Sequence, residues 1–126
     1  MERFIWICLG GAAGSGARYL IALWAAQRFG STFPFGTLIV NLVGCFAIAG
    51  VMHAAAALSW SPTMRSVITI GVIGGFTTYS SFNHETTRLL EEGAVGPAML
   101  NVATTLLGAF AAGWLGLMSA QLLLRR

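Results

Sequence analysis

The residues best suited to chemistry lie between Gly71 and Glu85, which reads Gly-Val-Ile-Gly-Gly-Phe-Thr-Thr-Tyr-Ser-Ser-Phe-Asn-His-Glu. Thr77, Thr78, Ser80 and Ser81 follow the Gly74-Gly75 pair closely, and Asn41 adds an amide earlier in the chain. Hydroxyls and amides donate hydrogen bonds, and a carboxamide can accept them as well. Where glycines interrupt a helix, the freed carbonyls can coordinate a cation and the freed amides can meet an anion. That chemistry is ion binding. Reaction chemistry has less support, because the sequence offers no nucleophile–base pair, metal-ligand cluster or phosphate loop. His53 and His84 have no partners at metal-ligand spacing and read as ordinary polar residues.

The elements that must hold these groups are set by composition. The 126 residues are 56% hydrophobic and 9% charged, with arginine and glutamate as the only charged types. A soluble domain of this length needs about a quarter of its residues charged to cover its surface. Lipid is therefore the expected solvent. No charge falls between Arg28 and Arg65 or between Glu92 and Arg125. Ser66 to His84 is uncharged, and Phe4 to Gln27 carries only Arg18. A crossing takes about 20 residues, so four helices are expected, near 4–27, 36–59, 63–90 and 95–124, in one domain spanning 1–126. The net charge of +3 comes from scattered arginines, which argues against a nucleic-acid partner. Cys8 and Cys45 both fall in apolar stretches and read as small packing residues.

Within the first stretch, Arg3 followed by Phe4–Leu9 is a weak version of a secretory signal. The glycines, Arg18 and three further hydrophobic stretches favour a retained first crossing. Trp6 and Trp24 suit opposite membrane interfaces. Gly10 and Gly14 in the first helix, and Gly108, Ala112 and Gly116 in the last, are spaced by four. Small residues at that spacing let helix backbones approach closely in lipid. Arg3, Arg65, Arg125 and Arg126 fall on one side of the membrane, and Arg28 and Arg88 on the other. This balance selects no single orientation and is compatible with insertion in both.

For 71–85 the residues leave two readings open: a kinked polar packing helix, or a helix broken at membrane depth beside an aqueous path. Three motifs resemble the Fluc (CrcB) family of small fluoride channels. They are Gly10-Gly11-Ala12-Ala13-Gly14-Ser15-Gly16-Ala17-Arg18-Tyr19, Pro34-Phe35-Gly36-Thr37-Leu38-Ile39-Val40-Asn41, and the run from Gly74 to Glu85. The resemblance implies an all-α membrane protein with four crossings, the third broken near its middle, assembled as an antiparallel homodimer. It implies a structural sodium ion at the dimer centre, held by the backbone carbonyls of Gly74 and Thr77. It also implies passive export of fluoride through the cell membrane, along pathways using Asn41, Tyr79 and Phe82. Arg18 and Glu85 match its first-helix arginine and its motif glutamate, with structural or vestibule roles. Tyr79 stands where the family usually has phenylalanine, and Ser81 where threonine is usual.

The physics of those roles is coherent. A pore for fluoride must replace tightly bound water with hydrogen-bond donors, and Asn41, Thr78, Ser80 and Ser81 supply them. Aromatic edges are electropositive, and Tyr79 and Phe82 share a face wherever helix resumes. In the fourth helix Thr104 and Thr105 are the first candidate lining groups, with Asn101 next, and Thr105 is assigned to the pathway. Glu85 and Arg88 are spaced for an ion pair. Two rivals remain. A proton-coupled drug exporter needs a carboxylate in its first helix, where this chain has only Arg18. A non-conducting assembly subunit would use its glycines for packing alone.

Overall fold

The computed structural model describes residues 1–124, and these form an all-helical unit. Helix α1 spans Glu2–Phe29, α2 Phe35–Ala57, and α6 Val95–Leu123. Each of these three is long and apolar enough to cross a membrane. Between α2 and α6 lies a segmented run: α3 (Pro62–Ser66), a π-helical stretch (Val67–Ile73), α4 (Gly74–Phe76) and α5 (Tyr79–Glu91). Arg125 and Arg126, expected at the interface, lie outside the described residues.

Local chemistry explains the boundaries. Helix α1 outruns its apolar stretch by two residues at each end. Glu2 in its first turn and Arg28 in its last both suit the helix dipole. Gly30 then leaves the helix at φ 80°. Helix α2 stops at Ala57, two residues short of the expected end, because Ser59 turns the chain at φ 52°. Ser61 caps α3 by accepting a hydrogen bond from the Met64 amide at 3.2 Å, with Pro62 at the first helical position. Aromatic rings close the α1–α2 turn: Phe29 meets Trp24 edge-on at 5.6 Å and Phe35 at 5.1 Å.

Two tight helix contacts organise the molecule. In the first, α1 packs backbone to backbone on the π-helical stretch. A methyl group added at Gly10 would lie 2.9 Å from the Val67 carbonyl oxygen, and one at Gly71 would lie 2.8 Å from that of Ile7. A methyl at Gly14 would overlap the Val72 carbonyl. In the second, α2 lies along α6, where Gly116 abuts the Phe46 backbone and Gly108 abuts Leu42. The four-residue spacing in each helix is thus spent on close approach. The core is correspondingly slim: Val40, Ala98 and Leu89 are nearly fully buried, while Phe4, Trp24, Leu107, Phe110 and Trp114 project outward. Water would penalise that exterior; acyl chains would not.

The contact at Gly14 cannot relax by moving a side chain, since its neighbours are backbone atoms. Gly14→Ala is expected to destabilise the protein by about 1–3 kcal/mol through overpacking. Gly16→Ala, with open space at the added methyl, is expected to be neutral or mildly stabilising. Thermal unfolding in detergent, followed by circular dichroism, distinguishes the two.

Candidate functional site

The segmented run leaves helical geometry at two residues. Thr77 (φ −83°, ψ 157°) and Thr78 (φ −152°, ψ 121°) are extended between α4 and α5. Each orphaned backbone group nearby finds a partner of a particular kind. The Ile73 carbonyl accepts from both the Thr77 amide at 3.0 Å and the Thr77 hydroxyl at 3.1 Å. Thr78 Oγ1 caps α5 by accepting from the Ser81 amide at 3.2 Å, and the Ser80 and Ser81 hydroxyls lie 3.3 and 3.1 Å from it. Ser15 of α1 donates to the Gly75 carbonyl at 3.3 Å.

Asn41 makes the tightest of these links. Its Nδ2 donates to the Thr78 carbonyl at 2.9 Å, and its Oδ1 accepts from the Thr78 amide at 2.8 Å. The carboxamide thus pairs with Thr78 as a neighbouring strand would, satisfying both backbone groups of one extended residue. Asn41 and Thr78 are each buried. Gly44, one turn further along α2, makes the approach possible: a methyl there would overlap the Thr77 side chain.

A concavity of about 480 Å³ opens beside this break, lined in part by Asn41, Gly74, Thr77, Thr78, Tyr79 and Thr105. It gathers candidates from three separate sequence stretches. Gly74 and Thr77 both face it, and the Thr77 carbonyl accepts no hydrogen bond from the described residues. The Tyr79 and Phe82 rings lie 5.5 Å apart at 53°, with Tyr79 74% exposed and Phe82 only 6%. Ser80 is exposed on the first turn of α5. Thr105 is buried and turned toward Asn101. Thr104 is spent on its own helix, donating to the Leu100 carbonyl at 2.7 Å. Asn101 is 1% exposed and bonded to Thr86 at 2.9 Å.

A second, more polar cavity of about 290 Å³ lies among α1, α2 and α5, where Arg18, Tyr19, Ser15, Thr37, Ser81 and Glu85 meet. Thr37 donates to Glu85 Oε1 at 2.8 Å, and Glu85 Oε2 is buried without a partner among the described residues. The expected Glu85–Arg88 ion pair is not formed. Glu85 turns inward to Thr37, whereas Arg88 pairs with Glu92 at 3.7 Å on the outer flank and reaches the Ser31 carbonyl at 3.4 Å. Among the described residues no cluster of three His, Cys, Asp or Glu could hold a metal. Ser15, Thr37 and Thr86 were not singled out for a role by sequence reasoning. Ser15 and Thr37 lie within quoted motifs, while Thr86 carries no local signal at all.

Asn41→Leu keeps the volume but strands the Thr78 amide and carbonyl, at a cost of about 1–3 kcal/mol for each unsatisfied group. Loss of thermal stability in detergent, larger than for Thr104→Val, is the expected result.

Residues 5–117 match the family described as CrcB-like protein, Camphor Resistance (CrcB). A protein of Sorangium cellulosum named fluoride-specific ion channel FluC is 49% identical over 125 residues, 98% of each chain. Proteins of the same name from Anaeromyxobacter dehalogenans and Geobacter metallireducens are 48% and 44% identical, over 99% and 96% of this chain and 97% and 98% of their own. Agreement of that depth along nearly the whole sequence shows that the chain belongs to the CrcB-like family.

Proposed function

We propose that this chain forms a passive, fluoride-selective channel that lets fluoride leave the cytoplasm across the cell membrane. Its relatives named as fluoride-specific ion channels align with it along nearly their whole length. The observation that carries the reading is the Asn41 amide at the lip of the larger concavity. One of its two Nδ2 protons is taken by the Thr78 carbonyl, and the other has no partner among the described residues. A rigidly held donor facing open space suits a small anion that must exchange water for hydrogen bonds. Tyr79 brings a ring to the same lining, and the Phe82 ring 5.5 Å behind it is proposed to add an electropositive edge to the path. The Ser80 and Ser81 hydroxyls are proposed as further donors along the path, with Thr78 and Thr105 as lining groups whose hydroxyl protons are held by Ser81 and Asn101 in this conformation.

The same reading supplies the assembly. The concavity is open on one side, and exposed apolar residues such as Leu106 and Phe110 line it. A second copy in the opposite orientation would close it, and the balanced arginines do not oppose such an arrangement. The run from Pro62 to Glu91 is then the third crossing, broken at Thr77–Thr78. Sodium fits the donor set proposed for it: the Gly74 and Thr77 carbonyls are hard oxygen ligands, and that of Thr77 is free of hydrogen bonds from the described residues. Two chains would together provide four such oxygens. The ion would supply positive charge close to the anion path.

In liposomes carrying the purified protein, rapid fluoride release with negligible chloride release is expected, read with ion-selective electrodes. No fluoride release from folded, dimeric protein would overturn the channel reading of this chain alone and leave a pair with an oppositely oriented homologue or the non-conducting subunit. Phe82→Ile removes the ring edge and is expected to slow fluoride release by about tenfold, the factor equivalent to 1.4 kcal/mol. Replacing sodium by a bulky organic cation throughout purification is expected to reduce the dimer fraction in size-exclusion chromatography.

A further inference from the structure

Helix α5 is the half of the segmented run that carries Phe82, and its attachment to the rest of the molecule is unusual. Its buried residues are Phe82, Thr86 and Leu89, a single face. That face meets Ala98, Asn101 and Thr105, the buried face of the first half of α6. At the centre of an otherwise apolar seam, Asn101 Nδ2 donates to Thr86 Oγ1 at 2.9 Å. Thr86 Oγ1 in turn donates to the Phe82 carbonyl at 2.7 Å, and Asn101 Oδ1 accepts from Thr105 at 3.5 Å. Four residues are thus joined in one polar chain that ends on the backbone of Phe82.

From this we infer that the Asn101–Thr86 pair is a positioning device that sets the axial rotation and height of α5, and with them the Phe82 ring. The inference rests on the proposed channel function for its consequence, but its structural half does not. An apolar seam tolerates small slides and rotations, because one aliphatic contact replaces another at little cost. A single buried polar pair does not, since any slip leaves a donor and an acceptor unpaired in a medium without water. Buried asparagines fix register in this way at apolar helix interfaces. Here the need is acute. Helix α5 begins immediately after two extended residues, so no continuous backbone ladder transmits the orientation of α4 to it. Thr78 and Asn41 hold one end, and the Asn101–Thr86 pair lies two turns further along the helix. Asn101, Thr86 and Phe82 all stand behind the lining of the larger concavity, whereas Tyr79, 5.5 Å from the Phe82 ring, is part of it, so the pair bears on the concavity through Phe82 and its ring contact with Tyr79.

The test replaces the pair by apolar residues of similar size, Asn101→Leu with Thr86→Val, which removes both polar groups and need not destabilise the fold. Two readouts follow it: fluoride efflux from liposomes, and the 19F resonance of para-fluorophenylalanine placed at position 82. In protein that remains helical and dimeric, efflux is expected to fall by about tenfold or more, as sub-ångström misplacement can produce. The 19F line is expected to shift or split, and Thr86→Ser, which keeps the hydroxyl, is expected to retain both native behaviours. An unchanged 19F line overturns the positioning role. A shifted line with native efflux overturns its bearing on conduction. Should the unmodified protein release no fluoride, the channel reading fails, and the 19F line alone still decides whether the pair positions Phe82.

Discussion

The paired hydrogen bonds between the Asn41 carboxamide and the Thr78 backbone are what the rest of the site depends on. In hydrocarbon every backbone polar group must find a partner within the protein, which restricts a crossing to continuous helix unless something replaces the missing ladder. Asparagine suits the task because its side chain carries the same donor and acceptor as a peptide unit. With Thr78 satisfied, α5 can restart under its own hydroxyl cap, and the chain can redirect without an orphaned amide. Among the described residues, the unpartnered Thr77 carbonyl and the second Asn41 amide proton are both consequences of holding the break in this way.

Close backbone packing makes the break reachable. Asn41 can touch Thr78 only because Gly44 leaves room for the Thr77 side chain, and because α1 lies against the π-helical stretch through Gly10, Gly14 and Gly71. The glycines and the polar site are one design constraint. Without a hydrophobic driving force between helices in lipid, contact area and backbone proximity must supply the cohesion. Most of the large aliphatic residues are therefore turned outward, and the interior combines glycine, alanine and threonine with a few larger side chains such as Val40, Phe82, Leu89 and Asn101.

Much of this was legible in the sequence. Charge-free stretches marked the long helices, because few alternatives can solvate so apolar a chain. The density of glycine and hydroxyls marked Gly71 to Glu85 as the unusual segment. Its details were less visible. The extended residues are Thr77 and Thr78, downstream of Gly74-Gly75, since the glycine at position 75 is needed for contact with α1 and stays helical. The Glu85–Arg88 spacing suggested an ion pair, yet Thr37 from another helix competes for the carboxylate. The link from Asn101 to Thr86 joins residues fifteen apart across a turn. No local pattern encodes a partner on a neighbouring helix, so such pairings emerge only with the packing.

The π-helical stretch from Val67 to Ile73 also bears on how this chain can change length. A π turn is an α-helix with one residue too many, accommodated by widening the coil. Removing one residue there would restore ordinary helix and leave the downstream residues near their present rotational phase, because the wide turn already absorbs the extra residue. Winding the same residues as ordinary helix, with none removed, would instead advance everything downstream by about 100° around the axis. Thr77 and Thr78 would then point away from Asn41. The π stretch therefore sets the phase in which the chain arrives at the Asn41–Thr78 pairing.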